Sequence, residues 1–136
     1  MDNKALNYLS LARKAGRAEL GEEPVGDVSR TGKAYVIAVA SDASDHTWRR
    51  AKSFAAGTEQ QCVRMEATKD EMGLMVGRTS LAIAAITDVS LALALVKTLP
   101  KADPQVLEVL TAKAAKAKKR QSEAKAHQRN IRKGKK

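Results

Sequence analysis

One cysteine, Cys62, leaves no partner for an internal disulfide and too few thiolates for a cysteine-built zinc site. A single thiol fits a reducing compartment. Aromatic residues are scarce as well, and none falls after Phe54. No apolar run approaches the ~20 residues needed to span a bilayer. The N-terminus, MDNKALNYLSLARKAG, has an early acid and only a short mixed apolar stretch, so it does not read as a secretory leader. A cytoplasmic chain without membrane contact is the expectation. Neither GxGxxG nor GxxxxGK[ST] occurs, and His46 and His127 lie far apart in sequence. Cys62 falls in an expected strand, where a small core residue fits better than a nucleophile. No catalytic constellation, metal site, cofactor or small-molecule substrate is expected, so the chain does not read as an enzyme.

Positive charge is abundant and unevenly spread. Residues 1–100 carry 13 Lys and Arg against 12 Asp and Glu, whereas residues 101–136 carry 12 against 3. The net charge of +10 therefore comes almost wholly from the last quarter. That asymmetry describes a near-neutral globular domain over 1–100 followed by a nucleic-acid-seeking extension over 101–136. Anionic membrane would call for aromatics or Leu along an apolar face, and the extension has no aromatic. Its alanines favour helix while its like charges oppose it, so the extension is expected to be disordered or helical. Lys118, Lys119 and Arg120 are its candidate phosphate contacts, strengthening binding without choosing a site.

Helix and strand signals alternate along the body. Apolar residues at three- and four-residue spacing predict a helix over 3–15, capped by Asp2 or Asn3 and closed by Gly16. Arg13, Lys14 and Arg17 crowd its end, where they offset the helix dipole or line an RNA surface; both readings stay open. A short strand over 17–20 leads to Gly21 and a helix over 22–31, with Glu22 and Glu23 suited to its first turn and Pro24 tolerated there. Tyr35 to Ala40 is apolar throughout, as in a strand covered on both faces. Asp42 or Ser44 can cap a helix over 45–56, and a brief strand near 62–65 follows. Thr68-Lys69-Asp70-Glu71 is a capping box opening a short helix that ends near Gly77. Leu81 to Ile86 is a second apolar strand, and Asp88 caps a last helix over 89–98. The pattern gives an α/β sandwich with a short sheet between helix layers, its two apolar strands central. Pro100 and Pro104 break the chain and set the extension apart.

Two polar segments, GEEP and SDAS, should meet at one sheet edge. Gly77-Arg78-Thr79-Ser80 offers a guanidinium, two hydroxyls and backbone amides in a turn before a buried strand, a combination that can grip phosphates or hold an extruded base. An ordinary helix-to-strand connection would read the same way. Adjacent Glu22 and Glu23 at a helix start complement the dipole and need no chemistry. The expected docking edge comprises Gly21, Glu22, Glu23, Lys33, Asp42, Arg78, Thr79 and Ser80, with Arg13 and Lys14 beside it.

With LARKAGRAELGEEPV, GKAYVIAVASDAS, MGLMVGRTS and LAIAAITD in this order, the chain resembles the ribosomal protein L-seven-Ae / L-thirty-e superfamily and its bacterial YlxQ-like branch, over about residues 3–99. The resemblance implies a three-layer α/β/α sandwich around a four-stranded mixed sheet. It also implies recognition of kink-turn or related internal-loop RNA by a non-enzymatic, ribosome-associated or ribosome-assembly protein. Strict kink-turn binders carry Gly, any residue, Asn, Glu, two residues and Lys at the second helix. The matching positions here are Gly21, Glu22, Glu23, Pro24, Val25, Gly26 and Asp27, so only the glycine is kept. The family's second contact loop falls on Gly77, Arg78, Thr79 and Ser80. RNA is the expected partner, the ribosome a candidate one, and a monomer the expected state. Two other readings stay open: a protein-interaction module with a nonspecific RNA-binding tail, and an RNA-binding subunit of an RNA-modification enzyme.

Overall fold

The computed structural model describes residues 3–134, with side chains followed from Asn3 to Gln128. Its elements run α1 (Lys4–Lys14), β1 (Ala18–Leu20), α2 (Glu22–Arg30), β2 (Val36–Val39), α3 (Asp45–Ala55), β3 (Gln61–Arg64), α4 (Lys69–Met75), β4 (Ile83–Ile86), α5 (Val89–Lys97) and α6 (Pro104–Gly134). Every residue of β2 and β4 is buried, as their unbroken apolar runs require. They pair antiparallel at the centre of a sheet ordered β1-β4-β2-β3. β1 joins β4 antiparallel and β3 joins β2 parallel, so the sheet is mixed.

Alternate residues of the central strands feed two cores. Val36 and Ala38, with Ala84 and Ile86, pack against α1, α4, α5 and the start of α6. Ile37 and Val39, with Ile83 and Ala85, pack against Val25 of α2 and Ala51 of α3. Three layers follow directly, a helix layer on each side of a four-stranded sheet. Full burial of one Val, Ile or Leu stabilises by about 1.5–3 kcal/mol, so these strands dominate the energetics.

The helix starts are set by local chemistry. Asn3 accepts from Leu6 N at 3.2 Å, Ser44 from Thr47 N at 3.2 Å, and Asp88 from Leu91 N at 2.9 Å. Thr68 and Glu71 exchange reciprocal bonds as the capping box demands. Of the alternatives, Asn3 and Ser44 hold the caps; Asp2 lies outside the described residues.

The chain does not leave the body at Pro100. Asp103 Oδ1 accepts from Gln105 N at 2.9 Å, and Pro104 stands at the first helical position, where a missing N–H costs nothing. The prolines therefore start a helix where they were expected to separate one. Val106 and Leu110 of α6 are buried in the same core as Leu95 and Leu99. The helix opened by Asp88 is consequently not the last, and the packed body runs ten residues past the expected boundary at residue 100. From Lys118 to Gln128 every side chain of α6 is exposed.

Gly73 allows α4 to lie on the chain that enters β4. A Cβ at this position would stand 2.7 Å from Ser80 Cα and Ser80 N, backbone that cannot step aside. Gly73→Ala should therefore lower unfolding stability by about 1–3 kcal/mol. Leu110→Ala should cost about 2–5 kcal/mol through its cavity. Urea titration followed by circular dichroism measures both; an unchanged midpoint for Leu110→Ala would mean that α6 does not belong to the core.

Candidate nucleic-acid interface

Strand direction decides which loops can act together. Because β4 alone runs against the other three strands, the ends of β1, β2 and β3 share one pole with the start of β4. Hydrogen bonds stitch that pole together: Gly21 N to Ile83 O at 3.0 Å, Ala40 N to Ala82 O at 2.9 Å, and Ser41 N to Ala67 O at 2.9 Å. The segments GEEP and SDAS meet here as their polarity suggested.

Gly21 begins α2 with φ +99°, a conformation that disfavours a side chain, and it supplies no capping group. The position a Cβ would take there lies 3.8 Å from Arg78 Nη1. The Gly77-Arg78-Thr79-Ser80 turn is held by Arg78 N donating to Gly73 O at 2.8 Å and Leu81 N donating to Lys69 O at 2.9 Å. All four of its residues are exposed. A helix N-terminus without a capping side chain thus faces an exposed guanidinium and two exposed hydroxyls. This arrangement can hold an anion or a sugar-phosphate bend.

The acids at this pole have assigned partners. Glu22 Oε1 accepts from Arg50 Nε at 2.7 Å, and Arg50 in turn lies over the Phe54 ring at 4.9 Å. Asp42 Oδ1 accepts from Lys69 N at 2.8 Å, so Asp42 anchors its loop to the start of α4. Among the described residues Glu23 forms no ion pair, and its side chain is exposed. Asp27 is paired with Arg30 at 2.7 Å, which offsets its charge.

Lys33, Arg13 and Lys14 lie at the other pole. Both β1 and β2 run antiparallel to β4 and hence parallel to each other, so residues preceding them sit opposite Gly21. Arg17 N donates to Ala12 O and Thr87 N donates to Arg17 O, both at 2.8 Å, which places the end of α1 at this far pole. Lys33 lines an open groove of about 920 Å³ with Arg17, Tyr35 and Thr87. Glu23 and Asp27 form its α2 wall, so the groove leads from one pole toward the other. Lys118, Lys119 and Arg120 stand on α6 beyond Lys113, whose Nζ meets Glu59 Oε2 at 2.7 Å and approaches the Tyr35 ring at 6.0 Å. Lys113 beside it holds the Glu59 carboxyl below its ordinary range. The expected docking edge is thus split: Gly21, Glu22, Glu23, Asp42, Arg78, Thr79 and Ser80 come together, while Lys33, Arg13, Lys14 and the α6 cations do not join them.

Arg50, Arg64 and Trp48 were not singled out from sequence. Arg64 Nη1 donates to Ser41 O at 3.2 Å and its guanidinium lies 4.7 Å from the Trp48 ring centre. These residues come from α3 and β3, and only the pairing of β2 with β3 brings them beside the Ser41 loop. The nearest sequence signal was Trp48-Arg49-Arg50 on a polar helix. Cys62 is partly buried, and burial pushes its thiol up to about 11, opposed by Lys52, which makes it a poor nucleophile. Among the described residues no group of three His, Cys, Asp or Glu side chains could hold a metal ion, and no helix is long and apolar enough to cross a membrane.

No protein-family model matches the sequence. A protein of unknown function from Bacillus halodurans superposes with a TM-score of 0.66 at 21% identity, over 71% of this chain and 97% of that one. A Giardia lamblia 15.5 kD RNA-binding protein superposes with a TM-score of 0.58 at 16% identity, over 81% and 92% of the two chains. At these identities both likenesses establish the fold alone. An Enterococcus faecium protein, RNA-binding protein YlxQ, is 34% identical over 76 residues, spanning 55% of this chain and 72% of that protein. Identity at this level along most of a relative, on a fold shared with the solved structures, places the chain: it belongs to the bacterial YlxQ family within the ribosomal protein L-seven-Ae / L-thirty-e superfamily.

Proposed function

We propose that this chain is a non-enzymatic, cytoplasmic RNA-binding protein that docks a kink-turn or related structured RNA on the pole formed by Gly21 and Arg78 to Ser80, in association with the ribosome or its assembly. The observation that carries the reading is the apposition of an α2 N-terminus lacking a side-chain cap and the exposed Arg78 guanidinium, 3.8 Å from the Gly21 Cβ position. Backbone amides, a guanidinium and hydroxyls recognise a bent phosphate backbone and need no base code. The RNA-binding name of the Enterococcus relative supports the class of ligand. The α6 cations add sequence-independent attraction.

Binding of a kink-turn RNA and of a matched duplex without the internal loop, followed across a salt series, tests this. Arg78→Glu should weaken kink-turn binding about tenfold or more, since it removes a charge-assisted donor and adds a repulsive charge. The preference over duplex should go with it. Replacing Lys118, Lys119 and Arg120 with Ala should weaken both RNAs alike and leave the preference in place. Unchanged preference in Arg78→Glu would refute this pole as the reader of RNA shape.

Glu23 occupies the position where strict kink-turn binders carry Asn. Glu23→Asn removes an exposed negative charge beside the docking pole and should raise kink-turn affinity by about threefold. The same titration measures it, and the gain should shrink as salt rises.

A protein-docking reading has one observation behind it: Leu74, just before the turn, is 80% exposed. Leu74→Ser should leave RNA affinity intact if that reading holds, and reduce it if Leu74 packs on an unstacked base.

A further inference from the structure

The described cations gather at two separate places, and the larger gathering is not at the Gly21–Arg78 pole. Arg13, Lys14, Arg17 and Lys33 are all exposed at the far pole, where α1 ends and β2 begins. The helix α6 adds to the same end. Thr98 and Leu99 share a recess with Glu66 and Ala67, which fixes the end of α5 at the Gly21 pole. From there α6 runs back along α5, so that Lys113 reaches Tyr35 and Glu59 at the far pole. Beyond it the helix continues outward. Lys118, Lys119, Arg120 and Lys125 are exposed there, against the one acid Glu123. The shaft from Lys113 to Gln128 is about 22 Å long at the ordinary helical rise.

Three features make this shaft a contact surface for phosphates. It has no apolar side that would seat it on protein or in a bilayer: alanines apart, Lys118 to Gln128 is wholly polar. Its cations lie on more than one side, since Lys116 and Arg120 are four apart on one face while Lys118 and Lys125, seven apart, stand on another. It is also a continuous helix, so its charges lead away from Gly21 and Arg78 and cannot fold back to compensate Glu23. The acids near the far pole are partly spoken for: Asp27 binds Arg30 and Glu59 binds Lys113, leaving Glu19 in the groove.

We propose that the far pole and the α6 shaft form a second phosphate-backbone surface, so that one molecule of this protein holds two RNA segments at once. The first is the structured RNA of the Gly21–Arg78 pole, and the proposal rests on that reading. The second is any RNA duplex, gripped through its backbone and without sequence preference.

A capture assay with the full chain tests it. Biotinylated plain duplex RNA on beads is presented with protein and a fluorescent kink-turn RNA, and the solution complex is weighed by mass photometry. The expected result is fluorescence on the beads that depends on protein, from a complex of one protein and two RNAs. Lys118→Gln, Lys119→Gln and Arg120→Gln together should cut bridging about tenfold and lower the salt slope of duplex binding by roughly 2–3. Displacement of the kink-turn RNA by excess duplex would show a single shared surface and overturn the proposal, as would a complex of two proteins and two RNAs or normal bridging by the triple variant. Failure of the first reading looks different. If Arg78→Glu binds kink-turn RNA normally, the first surface is misplaced, while the count of two RNAs per wild-type protein still decides whether the second exists.

Discussion

The antiparallel pairing of β2 with β4 is the constraint on which the rest of the molecule depends. Both strands are apolar on both faces, so each needs a helix layer on either side, and the alternation of Val36 and Ala38 against Ile37 and Val39 fixes which residues meet which layer. A slip of one residue would send every side chain to the other core. The same pairing sets strand direction across the sheet. It gathers the loops after β1, β2 and β3 with the turn before β4, and sends the starts of β1 and β2 to the far end. Which polar residues can cooperate is therefore decided by apolar ones.

The docking pole is shaped more by backbone than by charge. Gly21 keeps the α2 start free of a side chain, Gly73 lets α4 rest on Ser80, and Asp42 ties its loop to Lys69 N. Charges nearly cancel there. Glu22 is matched by Arg50, and Glu23 stands against Arg78, so attraction at long range is weak. An exposed pair such as Glu22–Arg50 adds little to stability, yet it fixes where the guanidinium lies. Geometry at one pole and charge at the other is a division that neither composition nor net charge reveals.

Much of the fold was legible because it rests on local rules. The unbroken apolar runs located the central strands, and the Thr68–Glu71 box and Asp88 placed their helices without tertiary knowledge. The meeting of GEEP, SDAS and GRTS followed from their positions beside strands. Lys33 was misplaced because its pole depends on the relative direction of β1 and β2, which pattern along the chain does not encode. Arg64 and Trp48 were missed for a similar reason, as they become neighbours only through the β2–β3 pairing. At Pro104 the same residue that breaks a helix also starts one, and Val106 and Leu110 were too few to announce a core face within a Lys- and Ala-rich stretch.

The anchoring of α6 also explains why so charged a stretch is helical at all. An isolated helix is limited by the cost of forming its first turn, and like charges add to that cost. Here the first turns are held by Asp103, Val106 and Leu110 against α5, and Lys113 is fastened to Glu59, so the helix has only to propagate through alanine-rich sequence. Propagation turns what composition describes as a tether into a lever. A tether would sweep its charges through a sphere and return them to the Gly21 pole. A lever holds them at a set distance and direction, which is the property that linking two binding events demands.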